Sequence, residues 1–246
     1  MTPPYTPGGY GAALEALLLA KGVHAQHAGG ETGGGQCGDT RQGIECTNTT
    51  GSGYLNVTGT FDLIHWNFGC ASARSPHALA PARKRARRAY PRAYDFFSPL
   101  IPLPRHRRHQ FPFAVHDLAN YAPTGLPPLP LPAYSANIAT IFTRLQSKAR
   151  LVMWTSTTPV ADVPQPFNRT YDSAVEYNAA ALAAVTAANG GKMPLTNDLW
   201  AAFITHCGVR YKSCDLQLPA NVHLTKAGIA FAAASAAADI FSALGL

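Results

Sequence analysis

Several familiar signatures are missing from these 246 residues. No Gly-Lys-Ser or Gly-Lys-Thr occurs, and no helix pattern directly follows the Gly-rich stretch 29–38, so that stretch fails as a phosphate loop. No Cys-x-x-Cys pair occurs, which weakens a zinc reading of the cysteines. Met1-Thr2-Pro3-Pro4-Tyr5 has neither a basic start nor an apolar stretch, so no signal peptide is visible. No membrane span is expected either. Residues 14–20 are too few, while the Ala-rich residues 227–244 carry Asp239 and read as an ordinary packed helix.

Acidic residues are nearly absent from one region. Residues 70–114 hold ten of the chain's 20 Lys and Arg against a single acid, Asp95, a local charge of +9. The whole chain carries +7, so the remainder carries 7 − 9 = −2. The basic character that invites a nucleic-acid reading therefore belongs to this stretch alone, and the body is mildly acidic. The stretch contains Arg83-Lys84-Arg85-Ala86-Arg87-Arg88 and Arg105-His106-Arg107-Arg108-His109 among many prolines. It reads as a basic arm for nucleic acid or a nuclear import receptor, as a surface loop, or as sequence foreign to the protein, such as translated intron. The last reading is favoured, because a structureless loop of 45 residues inside a compact domain argues against itself. The insertion is thus expected to be disordered or a retained intron, with no nucleic-acid partner for the protein.

What is present fits one α/β domain, residues 1–246, interrupted by the insertion. Cys37 and Cys46 are nine apart and Cys207 and Cys214 seven apart, each pair bracketing a loop short enough for a local disulfide. Cys70 is the odd one. Asn48-Thr49-Thr50, Asn56-Val57-Thr58 and Asn168-Arg169-Thr170 are sequons, which together with paired cysteines suit a secreted or lumenal glycoprotein. Residues 12–21 carry a helix pattern ended by Gly22, and 23–28 form a candidate strand. Residues 62–66 read as a buried strand, and 126–132 as a stiff polyproline connector. A helix is expected over 134–147 with Ile138, Ile141, Phe142 and Leu145 on one face, then a strand over 150–155. A last strand over 193–197 precedes a short helix, 198–206, with Asp198 as its cap.

Three passages carry a family resemblance. Asp62-Leu63-Ile64-His65-Trp66-Asn67-Phe68-Gly69 resumes beyond the insertion at His116-Asp117-Leu118-Ala119-Asn120-Tyr121. Read together, the halves resemble the third block of one branch of the SGNH (GDSL-like) hydrolases, whose usual form is a strand followed by Gly-x-Asn-Asp. Asn221-Val222-His223-Leu224-Thr225-Lys226-Ala227-Gly228 resembles the family's last block, Asp-x-x-His before a C-terminal helix. Thr155-Ser156-Thr157-Thr158-Pro159, with Tyr177-Asn178-x-x-Ala181 further on, is similar to the same branch.

The resemblance implies a three-layer α/β/α sandwich with a mainly parallel, flavodoxin-like sheet. It implies a secreted monomer that hydrolyses acyl or carbohydrate esters without metal or organic cofactor. His223 is then the general base, and Gly38 with Asn67 or His116 donates to the oxyanion. The usual Asp position is Ala220, so Asn221, one residue nearer, is the candidate for orienting the imidazole. The family's first strand ends in Gly-Asp-Ser, whose Ser is the nucleophile, and neither that strand nor that triplet occurs here. Gly38-Asp39-Thr40 imitates it without an apolar strand in front, and Ser52 between two glycines reads as a turn residue. The 246 residues as written are therefore expected to show no turnover. A non-catalytic relative that binds glycans or acyl esters in the same cleft is the alternative.

Overall fold

The computed structural model describes residues 9–25, 40–50, 55, 59–67, 117, 129–165 and 168–246. The chain divides into one unit, Met1–Ser72 with His106–Leu246, and a second, Ala73–Arg105. Every described residue belongs to the first, and the expectations for the insertion lie outside the described residues.

The described elements run, in chain order, α1 (Gly9–Ala20), α2 (Thr40–Cys46), β1 (Phe61–Asn67), α3 (Leu131–Gln146), β2 (Ala149–Thr155), α4 (Tyr171–Ala188), β3 (Leu195–Asn197), α5 (Leu199–Cys207) and α6 (Lys226–Leu244). The strands form a parallel three-stranded sheet in the order β1-β2-β3. The protein is thus of the α/β class, with a helix carrying the chain from each strand to its parallel neighbour, as parallel pairing demands.

β1 is an apolar strand of the kind that suits burial on both faces. Ile64 and Trp66 join Val152 and Trp154 of β2 in one core cluster with Ile138, Phe142 and Leu145 of α3 and Ala181 and Val185 of α4. Leu63 and Met153 join a second cluster with Leu14 and Leu18 of α1 and Ala233, Ala236, Ala237 and Ile240 of α6. Leu63, Ile64 and Trp66 are each fully buried. Each such side chain contributes about 1.5–3 kcal/mol relative to exposure.

The helix starts follow local chemistry. α3 begins at Leu131 rather than Tyr134, because Pro132 falls in its first turn, where a missing N–H costs nothing. The polyproline passage is therefore partly helical. Thr170 caps α4 in a reciprocal capping box with Ser173, and Asp198 caps α5 by accepting from Ala201 N–H at 3.0 Å. α6 ends on Gly245 at φ 71°, the left-handed conformation that glycine adopts without strain.

Two expectations need correction. Val23 to Ala25 are irregular rather than strand, and the rest of that candidate lies outside the described residues. A short helix, α2, follows the Gly-rich stretch, although the sequence there shows no helix pattern. α6 is long and apolar enough, by length and composition, to cross a membrane. In this fold one face of it packs on α1, and its Asp239 accepts from Asn197 Nδ2 at 2.6 Å.

Candidate active site

The carboxyl ends of the three strands lie in one row: Asn67 is in register with Thr155, and Thr155 with Asn197. Ligands of open α/β sheets bind at this edge. Thr155 and Asn197 each have their own support. Thr155 Oγ1 meets His65 Nε2 at 2.7 Å, and Asn197 Nδ2 donates to Ser235 Oγ at 3.0 Å as well as to Asp239. His65 is buried, and burial pushes its pKa down to about 3, so its imidazole is neutral at physiological pH.

Beyond β2 the chain is clamped residue by residue. Ser156 N–H donates to Asn197 O at 3.2 Å, and its hydroxyl donates to Asp198 Oδ1 at 3.1 Å while accepting from Trp200 N–H at 2.8 Å. Asn178 of α4 grips Thr157 from both sides, accepting its N–H at 2.8 Å and donating to its carbonyl at 3.2 Å. Pro159 O accepts from Tyr211 Oη at 3.1 Å and from Gln217 Nε2 at 2.7 Å.

That last contact brings in the His223 loop. Gln217 bridges antiparallel to Leu224, Leu218 N–H donates to His223 O at 2.9 Å, and Thr225 N–H donates to Leu216 O at 3.0 Å. Thr225 Oγ1 donates to Asp215 O at 2.6 Å and accepts from Gly228 N–H at 3.1 Å, capping α6. Val222 packs in the same core cluster as Val160 and Tyr177. The loop is thereby fixed beside the passage that leaves the carboxyl end of β2.

Within it, Asn221 Oδ1 contacts both the His223 backbone N–H, at 3.1 Å, and the ring Nδ1. An amide oxygen at Nδ1 selects the tautomer with the proton there, which makes Nε2 the basic ring nitrogen. Ala220 sits at φ 46° with a side chain unable to hydrogen-bond the imidazole.

Among the sequence-derived candidates, then, the structure brings Asn221 and His223 together. Asn67 ends β1 in the same row as Thr155. Gly38 and His116 lie outside the described residues. Thr40, the imitation nucleophile, is fully buried: its hydroxyl donates to Asp117 Oδ1 at 3.0 Å and accepts from Asn137 Nδ2 at 3.1 Å.

Asp117 is a residue whose role the sequence did not disclose. Its carboxylate is completely buried and also accepts the Thr40 N–H, while its own carbonyl accepts from Leu129 N–H at 3.1 Å. Tyr134 and Tyr177 lie with ring centroids 4.8 Å apart. Burial first, and then the Asp117 charge, raise both phenols above their ordinary range. The pairing of His116 with Asp117 in sequence marks the residue, but its partner is visible only in the fold.

Cys207 and Cys214 form the expected disulfide, with Cα atoms 5.4 Å apart. Cys46 is also disulfide-bonded, and Cys37 lies outside the described residues. Beside the first bond, ligand atoms of His206, Cys214 and Asp215 lie within 4.8 Å of one another. With Cys214 oxidised, this grouping reduces to a His206–Asp215 pair at 2.9 Å, too few donors for a metal. A separate open cleft of ≈ 390 Å³ follows β2, lined by Asp162, Gln165, Asn168, Arg169 and Tyr171 among others.

No family model matches the sequence. No curated protein matches it either. Among solved structures, the chain is similar to the crystal structure of Axe2, an acetylxylan esterase from Geobacillus stearothermophilus, with a TM-score of 0.40 and 13% identity. The alignment covers 56% of this chain and 59% of that one, so it spans less than two thirds of the esterase.

Proposed function

We propose that this chain belongs to a secreted ester hydrolase of the SGNH type, a three-layer α/β/α sandwich that acts on acyl or carbohydrate esters as a monomer. The observation that supports the reading is the Asn221–His223 contact, on a loop tied through Gln217 to Pro159 in the passage that follows β2. His223 Nε2 takes the proton of a serine as that serine attacks the ester carbonyl. The imidazolium then gives the proton to the departing alkoxide, and a second cycle with water frees the acid. The oxyanion role is assigned in this reading to Gly38 N–H with Asn67 or His116. Asn221 fixes the tautomer without supplying negative charge, the role an Asn plays in Cys-His-Asn sites. The nucleophile is assigned to a Gly-Asp-Ser block, a triplet this sequence does not contain. The Cys207–Cys214 bond supports a secretory location.

The test begins with sequencing of full-length transcripts and then measures p-nitrophenyl acetate hydrolysis by the encoded protein. The expected transcript joins Gly69 closely to His116 and includes a Gly-Asp-Ser strand, with turnover lost in His223→Ala. A transcript encoding these 246 residues unchanged, with no turnover, overturns the enzyme reading. A second reading, a non-catalytic binder of glycans or acyl esters, is favoured by Ala220 and the uncharged Asn221. It predicts saturable binding of an ester by the unchanged chain without hydrolysis.

A further inference from the structure

We propose that this chain carries N-linked glycans on Asn48 and Asn168. The inference is independent of the hydrolase reading and stands on redox state together with local geometry. Cys207 is bonded to Cys214, and Cys46 is also in a disulfide. Such bonds persist in the oxidising secretory lumen and are rare in the cytosol. That lumen is also where Asn-x-Ser/Thr acceptors are modified.

The first acceptor follows the C-terminus of α2, with Asn48 N–H donating to Glu45 O at 3.1 Å. Asn48 and Thr50 are both exposed. Asn48 Oδ1 accepts from the Thr50 N–H at 3.3 Å and from its hydroxyl at 3.1 Å. The two donors engage the amide oxygen, while Nδ2, the atom that would carry the sugar, has no protein partner among the described residues.

The second acceptor lies directly ahead of α4. Asn168 is exposed and sits at φ 55°, a left-handed conformation that Asn tolerates better than most residues. Thr170 is exposed as well and caps the helix. Both acceptor asparagines are thus exposed, Asn168 among the residues that line the open cleft following β2. The third sequon, at Asn56, lies outside the described residues.

The chemistry needs a lipid-linked oligosaccharyl pyrophosphate as co-reactant. Asn Nδ2 forms a bond to the anomeric carbon, the bond from that carbon to the pyrophosphate oxygen breaks, and Nδ2 gives up one proton. No electron transfer is involved.

The test expresses the full chain behind a cleavable secretion leader in a eukaryotic host, or translates it with microsomes if secretion fails. The product is treated with peptide N-glycosidase in heavy-oxygen water and mapped by mass spectrometry. Heavy-labelled aspartate is expected in place of Asn48 and Asn168, with one mobility step lost in each of Asn48→Gln and Asn168→Asp. Thr50→Val, which keeps Asn48 but removes the hydroxyl, loses the same step and covers the case in which Asn48→Gln misfolds. Unlabelled asparagine at both positions, in protein whose Cys207–Cys214 bond has formed, overturns the proposal.

Discussion

The carboxylate of Asp117 holds the start of α2 by accepting Thr40 N–H at 3.1 and 3.2 Å and the Thr40 hydroxyl at 3.0 Å, across 77 residues of sequence. A buried negative charge at a helix N-terminus meets both the free N–H groups and the positive end of the helix dipole. Asp117→Ala should destabilise the fold by about 3 kcal/mol, since hydrogen bonds to charged groups contribute about 1.5–3 kcal/mol and Thr40 N–H is left buried without this acceptor. Asp117→Asn keeps an acceptor and should cost roughly half as much. Urea midpoints give both numbers. The same Asp117→Asn change should let Tyr177 ionise at lower pH than in the wild type, read from tyrosinate absorbance. Burial, the larger cause, remains.

Gly228 leaves no room for a side chain. A Cβ there would lie 1.9 Å from Leu216 O, a carbonyl already bonded to Thr225 N–H. Gly228→Ala must therefore push α6 away from the loop that carries His223. The expected loss is about 3 kcal/mol, the upper end for overpacking. Thermal unfolding measures it, and a cost below about 0.5 kcal/mol would contradict the close approach.

His65 should make stability fall in acid. Its folded pKa of about 3 lies below the ordinary 6.5, so the unfolded chain binds the proton that the folded chain refuses. The contribution is complete above pH ~6.5 and is lost progressively as pH falls toward ~3. His65→Gln keeps a polar group to face Thr155 Oγ1 and removes the titration. The stability difference, wild type minus variant, should therefore shrink as pH is lowered through that window. Carboxylate effects, common to both proteins, cancel in the comparison. A difference that stays constant from pH 7 to 4 would refute the assignment.

Opening the Cys207–Cys214 bridge should cost about 2.5 kcal/mol by the loop-entropy relation for so short a ring. Cys207→Ser with Cys214→Ser is the cleanest form of the experiment. α5 and α6 should keep their helical signal, because Phe203 and Ala232 pack together independently of the bond. Circular dichroism beside a urea titration checks both statements.

Sequence patterns locate most of the described elements, since β1, β2 and α3 owe their positions to apolar periodicity that is local in sequence. The Asp198 cap was readable for the same reason. α2 was not readable. Its start depends on an acceptor 77 residues away, and Thr-Arg-Gln-Gly-Ile-Glu-Cys has no strong apolar period of its own. The candidate site divides along the same line. Asn221 and His223 are two residues apart and were legible as a pair. The grip of Asn178 on Thr157 needs β2 and α4 in place before it exists.

Thr225 ties the loop ahead of α6 at three points: its N–H to Leu216 O, its hydroxyl to Asp215 O, and Gly228 N–H back to that hydroxyl. An imidazole carried on such a knot has surrendered most of its freedom during folding. No large ordering entropy is then left to be met when a ligand arrives, whatever group His223 serves. Thr225→Val, which removes only the hydroxyl bonds, should accordingly show itself as a more unfavourable entropy of ligand binding, with the enthalpy much less changed.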